Sequence, residues 1–389
     1  MSDETTASAA RATAGAIGHG TLVDPRGLSA RTDRAGTTRP AVVRTLAFLR
    51  KLYGLVQRYF PQFLIAGIAF AILKVYANGG LTLMGAQIKN ALVLGAIYAL
   101  VAIGYTMVYG IIELINFAHG DVFTLSGFYA FVIAGLSGGA IGSLATHSGI
   151  GLLLALLIIF PTTMVAAGFT GVVIERVAYR RLRDAPRLAP LITAIGVSFL
   201  LEGLMLVIFG ADNRPTKLSS WITGRAVRVA GVDVNWKDIF VVATALGLMF
   251  SLGAFVRITT LGKAMRATAQ DRSASLLSGI NVNRTISATF FIGSALAAAG
   301  AIVYSINYDL IQWNLGYQLG IIAFTAAVLG GIGNIVGAGV GGFIIGVISV
   351  FGGQLAGGEW SNSLVFAILV IILTFRPVGL FGVDVTTRA

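Results

Sequence analysis

The 389-residue chain is 56% hydrophobic and only 11% charged, with a formal net charge of +12, 50 glycines and no cysteine. A water-soluble fold could not bury that much apolar surface, so lipid is the solvent for most of this chain. Most soluble-enzyme readings are thereby removed, and the lack of cysteine removes disulfides, thiolate catalysis and cysteine metal sites.

The class is an all-α polytopic membrane protein. The glycines sit inside apolar runs, where membrane helices use them for close approach, which excludes collagen-like or disordered readings. The runs are continuous rather than alternating, which argues against a β-barrel. His19, His119 and His147 lie far apart with no ligand spacing, so no metal site is expected. The basic residues cluster in loops beside apolar runs, so the positive charge reads as membrane topology and not as nucleic-acid binding.

Residues 1–40 are rich in Ala, Thr, Gly and Arg without an apolar segment, and read as a disordered cytoplasmic tail with no cleavable signal. Residues 41–60 carry Leu46, Leu49, Tyr53, Val56 and Phe60 at helical spacing, flanked by Arg44, Arg50, Lys51, Gln57 and Arg58. This predicts an amphipathic helix lying on the membrane surface; the alternative is a plain start to the first span. From 61 to 389 the chain reads as a transmembrane domain. About ten transmembrane or re-entrant helices are expected, at 61–77, 86–109, 122–137, 150–175, 190–210, 239–257, 286–306, 318–333, 335–353 and 360–376.

Charge gives the orientation. Nine Lys and Arg stand against four Asp and Glu before Pro61, which places that segment in the cytoplasm. Arg176, Arg180, Arg181, Arg183 and Arg187, and then Arg257, Lys263, Arg266, Arg272 and Arg284, fall on the same side by counting spans. Both termini are therefore expected in the cytoplasm. The external loop 211–238 fits less well, with Arg214, Lys217, Arg225, Arg228 and Lys237 against Asp212, Asp233 and Asp238. Its Trp221 and Trp236 suit an interfacial position.

Polar groups interrupt the apolar sequence at Asn90, Glu113, Asn116, His119, Asp121, Glu202 and Asn334. Ionisable groups at bilayer depth cost a few kcal/mol and tend to face cavities or partners. Glu113, Asn116, His119, Asp121 and Glu202 are the candidates for a translocation path. Gly110 and Gly120 bracket the densest group, so a broken helix there would line the path with unwound backbone. The alternative is a turn near the cytoplasmic edge, with Asp121 capping the next helix and His119 as a hydrogen-bonded packing residue. Glu202 is open to an arginine of the cytoplasmic loop or to a neighbouring subunit. Segments 104–131 and 320–345 share a loose pattern, an apolar run broken at Asn and then resumed, which would be the trace of a duplication. The glycines from Gly330 to Gly346 point to close helix crossings, with a pore-lining hinge as the alternative.

The cytoplasmic loop 258–285 contains TLGKAMRATAQDRSASLLSGINVNR at 260–284. Two short helices are expected, 263–270 and 272–278, with Asp271 as N-cap of the second and Gly279 beyond its end. Ala264, Ala267, Ala269 and Ala274 give the loop a small-residue surface suited to a groove on another protein.

Ala274, four residues, Gly279, Ile280 and then a new apolar span resembles the EAA-type loop of ABC importer permeases. GYTMVYGIIELINFAHGDVFTLSGFYAF at 104–131, VAYRRLRDAPRLAPLITAIGVSFLLEG at 177–203 and FRPVGLFG at 375–382 resemble, in order, segments of the branched-chain amino acid ABC permeases. INFAHGD is similar to the H-type rather than the M-type subunit of the high-affinity leucine, isoleucine and valine importer. The resemblance covers roughly 85–382 and implies the ABC importer permease fold in a bacterial inner membrane. It implies an M-type sister permease, two cytoplasmic ABC ATPases and an extracytoplasmic solute-binding protein as partners, besides lipid. Ala264, Ala267, Asp271, Ala274 and Gly279 would then couple to the ATPase. The chain has no GxxxxGK[ST] loop, so it is not expected to be an enzyme or to hold a cofactor, with ATP and Mg left to partner subunits. A urea or short-amide permease of the same fold, an ion-driven secondary transporter or channel, and a membrane enzyme are the rival readings.

Overall fold

The computed structural model describes residues 40–114, 116–136, 139–183, 185–186 and 188–382. The expected disordered tail (apart from Pro40), Arg187 and the last seven residues lie outside the described set. The first helix, α1, runs Pro40–Ile112 and has non-helical geometry inside it at Gly80, φ 67° and ψ −164°. That conformation is open only to glycine. Tyr53–Ile112 is 60 residues of apolar helix, well over the ~20 residues that one span needs. The break at Gly80 separates the two spans expected at 61–77 and 86–109.

Then follow α2 (Ala118–Leu136), α3 (Ala140–His147) and α4 (Gly149–Ile174), which is continued by a π-turn at Glu175–Tyr179 and a 3-10 turn at Arg180–Leu182. Next come α5 (Leu188–Phe209), β1 (Arg214–Pro215), β2 (Arg225–Val229), β3 (Val232–Asn235) and α6 (Trp236–Ile258). The short α7 (Thr260–Gln270) and α8 (Arg272–Leu277) lead into α9 (Val282–Tyr308) and β4 (Leu310–Ile311). The last three helices are α10 (Leu315–Gly330), α11 (Ile335–Ala356) and α12 (Ser361–Phe375). Among the described residues seven helices are long and apolar enough to cross a membrane, or eight if α2 and α3 form one broken span. The difference between eight and ten has two sources, and the count falls to seven when α2, the expected span at 122–137, is not joined to α3. The first two expected spans fall in one helix, and α10 has only 16 residues, about 24 Å, less than the hydrocarbon thickness.

The core lies along the second part of α1 and along α9, where Ile97, Leu100, Ile103, Ala298 and Ile302 are fully buried. By contrast α5 and α12 expose Phe199, Val207, Val370 and other large apolar side chains, as lipid-facing helices do. Two ends of this core follow from the connections. At one, Arg272 of α8 reaches the last carbonyls of α1, and Tyr179 reaches Asn116. At the other, β1 pairs with β4 and Lys89 pairs with Asp238 beyond β3, at 3.5 Å. We call these the α8 end and the hairpin end.

The helix order recurs in the second half of the chain, at positions other than the 104–131 and 320–345 pattern. Helices α1, α2, α4 and α5 recur in order as α9, α10, α11 and α12, running in the opposite sense between the two ends. The packing repeats with them: α9 lies on α4, and α1 lies on α11, where Gly342 and Gly346 meet Ala99 and Gly95. Likewise α2 packs on α5 as α10 packs on α12. Glu113 and Asp309, just past the ends of α1 and α9, have φ of 55° and 53°, and each donates its N–H four residues back, to Tyr109 O and Ser305 O. Their sequence separation equals that of Gly120 and Gly316, which face each other where α2 crosses α10. A Cβ on either glycine would collide with the other's carbonyl. An inverted repeat of this kind is a common basis of membrane transporters.

The hairpin end also explains the charge of loop 211–238. Arg225 and Arg228 lie 3.2 and 3.6 Å from Asp233. Arg214 donates to Phe209 O at the end of α5 and Lys237 to Asn307 O near the end of α9. Cations at helix C-termini are favourable, so Arg214 and Lys237 have a local structural role. Trp221 is buried at 6% exposure in one apolar cluster with Leu218, Ile222 and Ala145. Trp236 is 54% exposed.

Candidate coupling and translocation site

The α8 end is built from local capping. Thr259 accepts from Gly262 N at 3.0 Å and starts α7. Asp271 accepts from Ala274 N at 2.9 Å and starts α8. Gly279, at φ 80°, lets Ile280 N reach Ser275 O and Gly279 N reach Leu276 O. That paired bonding is the Schellman ending, for which glycine is the usual residue. Met265 and Thr268 anchor α7 in the core. Ala264 and Ala267 are half-buried, while Asp271, Ala274 and Gly279 are exposed. Leu276 is 60% and Leu277 91% exposed.

Arg272 ties this knuckle to the break after α1. Its Nη2 donates to Ile112 O at 2.8 Å and Ile111 O at 3.3 Å, satisfying carbonyls that a helix end leaves free. Glu113 follows and is exposed; Asn116 is buried and accepts from Tyr179 Oη at 3.0 Å. His119 is buried with its ring edge-on to Tyr105, centroids 4.6 Å apart, and Nε2 has no hydrogen-bond partner. Gly104 makes the room, since a Cβ there would strike the imidazole. His119 is thus packed into the core, with its Nε2 unpaired.

Asp121 lies in the first turn of α2 yet does not cap it. Its Oδ2 accepts from Ser198 Oγ of α5, and Oδ1 is buried without a partner. Glu202 stands one turn beyond Ser198 on the same helix face and opens into a cavity toward the hairpin end. Thus Asn116, His119 and Asp121 come together at the α8 end, and Glu202 continues from Asp121 through Ser198. Glu113 stands apart. No arginine is paired with Glu202 among the described residues.

Sequence reasoning missed Glu175. It is fully buried, bound by the Arg183 guanidinium, by Ser287 Oγ at 2.7 Å, and approached by Arg180 at 3.9 Å. Arg183 also donates to Asn283 Oδ1 at 2.6 Å. Burial pulls the Arg183 guanidinium below its ordinary pKa, and Glu175 opposes that shift. The π-turn matters because it presents Glu175 to this network and Tyr179 to Asn116 within five residues; such turns are frequent at functional sites. The available signal was a carboxylate opening an arginine-rich run directly after an apolar span. The FRPVGLFG segment is held where α10 ends: Leu380 N and Phe381 N donate to Leu329 O and Gly330 O. Asn334 both caps α11, accepting from Gly337 N, and donates to Phe381 O.

An apolar inverted repeat, with a capped helical knuckle at one end and polar groups threading its middle, defines a polytopic membrane transport protein. Residues 87–373 match the family model described as branched-chain amino acid transport system / permease component, and the chain belongs to that family. It is 40% identical over 300 residues to the high-affinity branched-chain amino acid transport system permease protein BraD of Pseudomonas aeruginosa, covering 76% of this chain and 95% of that one. It is 37% identical over 310 residues to the permease protein LivH of the corresponding system in Escherichia coli, covering 76% and 94%. The autoinducer 2 import system permease protein LsrC of Yersinia pseudotuberculosis is 25% identical over 253 residues, 62% of this chain and 67% of that one. No solved structure matches the chain. The protein is a multi-pass permease of the bacterial inner membrane, a transport subunit rather than an enzyme.

Proposed function

We propose that this chain is the membrane-spanning subunit of an ABC importer that moves branched-chain or other neutral amino acids into the cell. Two partner ATPases bind and hydrolyse ATP with Mg, an M-type sister completes the pathway, and an extracytoplasmic binding protein delivers substrate. The observation that carries the reading is the α7–α8 knuckle. Leu276 and Leu277 project from a helix fixed at both ends by caps, and exposed apolar side chains beside charged ones mark a protein docking face. Ala264, Ala267, Asp271, Ala274 and Gly279 shape that face. Force on α8 passes through Arg272 to the end of α1, and so to the break that carries Asn116, His119 and Asp121. The names of the relatives above 35% identity support the cargo. The second reading, urea or a short amide, stays open because the autoinducer 2 relative carries a different cargo within reach of the same scaffold.

Tagged chain, purified from its own membranes and analysed by mass spectrometry, should bring down ATPases and a distinct sister permease. Reconstituted with them and a binding protein, it should take up labelled leucine only with ATP. Leucine-inactive, urea-active assemblies would refute the cargo. Uptake that survives deletion of 260–284 and ignores ATP would make it an ion-driven carrier or channel.

A further inference from the structure

A cavity of about 520 Å³ opens where α5, the start of α10 and the start of α12 meet. Its volume lies in the range of small-molecule sites. One carboxyl and three amide side chains line it, Glu202, Asn314, Gln318 and Asn362, and Tyr317 adds an exposed phenol. Neither the carboxyl nor any of the amides has a side-chain hydrogen bond or ion pair within the described residues. Phe199, Trp313, Ile322 and Phe366 form the apolar wall. Unpaired polar groups on a helix at membrane depth are expensive unless they meet water, a partner subunit or cargo.

The kinds of polar group are specific. Glu202 offers only acceptors when ionised, whereas the three amides supply N–H donors. Asn314 and Asn362 also stand at the first turns of α10 and α12, where helix dipoles favour negative charge. One carboxylate and three amides in a single cavity with aromatic side chains are the complement of a zwitterion with an apolar side chain. We propose that this cavity is a substrate subsite. It holds the ammonium of a neutral amino acid at Glu202, its carboxylate at Asn314, Gln318 and Asn362, and its side chain against Phe199 and Phe366. This rests on the reading of the chain as a neutral amino acid permease. Two features of the fold give the site a place in transport. Trp313 and Asn314 belong to the break after α9, the inverted counterpart of the break after α1 that Arg272 holds. Glu202 connects through Ser198 to Asp121, on the helix that leaves that second break.

The chain has no cysteine, so Tyr317→Cys, at the rim of the cavity, creates a unique thiol on it and leaves the proposed binding groups in place. The assembled importer in proteoliposomes is treated with a cationic, membrane-impermeant methanethiosulfonate from the binding-protein side. Labelling of this chain is expected, and leucine with its binding protein should slow it several-fold. Glu202→Gln should lower leucine moved per ATP hydrolysed by about tenfold, the loss of one charged hydrogen bond, while ATP hydrolysis continues. Where Glu202→Gln fails to assemble, the exposed Gln318→Ala carries the same expectation with a smaller loss. Labelling that leucine leaves unchanged, or a thiol covered by the sister subunit in every state, overturns the subsite. So does Glu202→Gln with wild-type stoichiometry in an assembly that imports leucine, and then the amino acid permease reading survives. A wild-type assembly that moves no neutral amino acid overturns both.

Discussion

Arg272 opens the short helix α8 and donates to Ile112 O, 2.8 Å away at the end of α1. The two residues are far apart in sequence, and the bond joins the exposed knuckle to the break in the buried core. Charged hydrogen bonds contribute about 1.5–3 kcal/mol, so Arg272→Ala should loosen this link without dismantling the helices. ATP-driven uptake should fall about tenfold or more by that measure, while ATPases still co-purify. Wild-type uptake by the alanine variant would remove Arg272 from the transmission path.

Leu277 is 91% exposed and loses almost nothing intramolecular when changed. Leu277→Asp should therefore leave the melting temperature in detergent unaltered. Recovery of the ATPases with the tagged permease should collapse. An aspartate variant that retains them stoichiometrically would argue that α8 is not the docking face.

Glu175 is fully buried between Arg183 and Ser287. Removing one partner of a buried ion pair strands the other, at a cost of about 3–5 kcal/mol. Glu175→Ala should lower thermal stability markedly. The double variant Glu175→Leu, Arg183→Met should recover much of the loss, since no buried charge is then left unpaired and Arg180 is 40% exposed. Calorimetry or a thermal shift in detergent reads both.

Gly120 and Gly316 permit the contact between α2 and α10. Gly120→Ala forces a methyl group against Gly316 O, and overpacking of this kind costs about 1–3 kcal/mol. Gly247→Ala on α6 is the control, because nothing lies within 4 Å of its added methyl. The first should reduce the yield of folded permease on size-exclusion chromatography, and the second should leave it unchanged or improve it.

Local chemistry was legible in the sequence to the residue. The Asp271 cap and the Gly279 ending of α8 follow from side chains acting on backbone three to five residues away, and hydropathy located the helices because lipid contact imposes a continuous apolar run. The break near Glu113 was also visible, as a polar cluster between glycines. Its role was not. Asp121 looked like a cap, and only the approach of α5 gives its carboxylate to Ser198.

Composition alone decided that lipid is the solvent, and the periodic, short-range patterns decided where helices start and stop. Tertiary structure decided which of them meet. Arg272 with Ile112, Glu175 with Ser287, and Gly120 with Gly316 are pairs separated by more than a hundred residues. Such pairs leave no repeating mark along the chain, because each depends on where distant helices pack. The inverted repeat was hidden for the same reason: it survives in backbone turns and helix contacts, which many apolar side chains satisfy equally well.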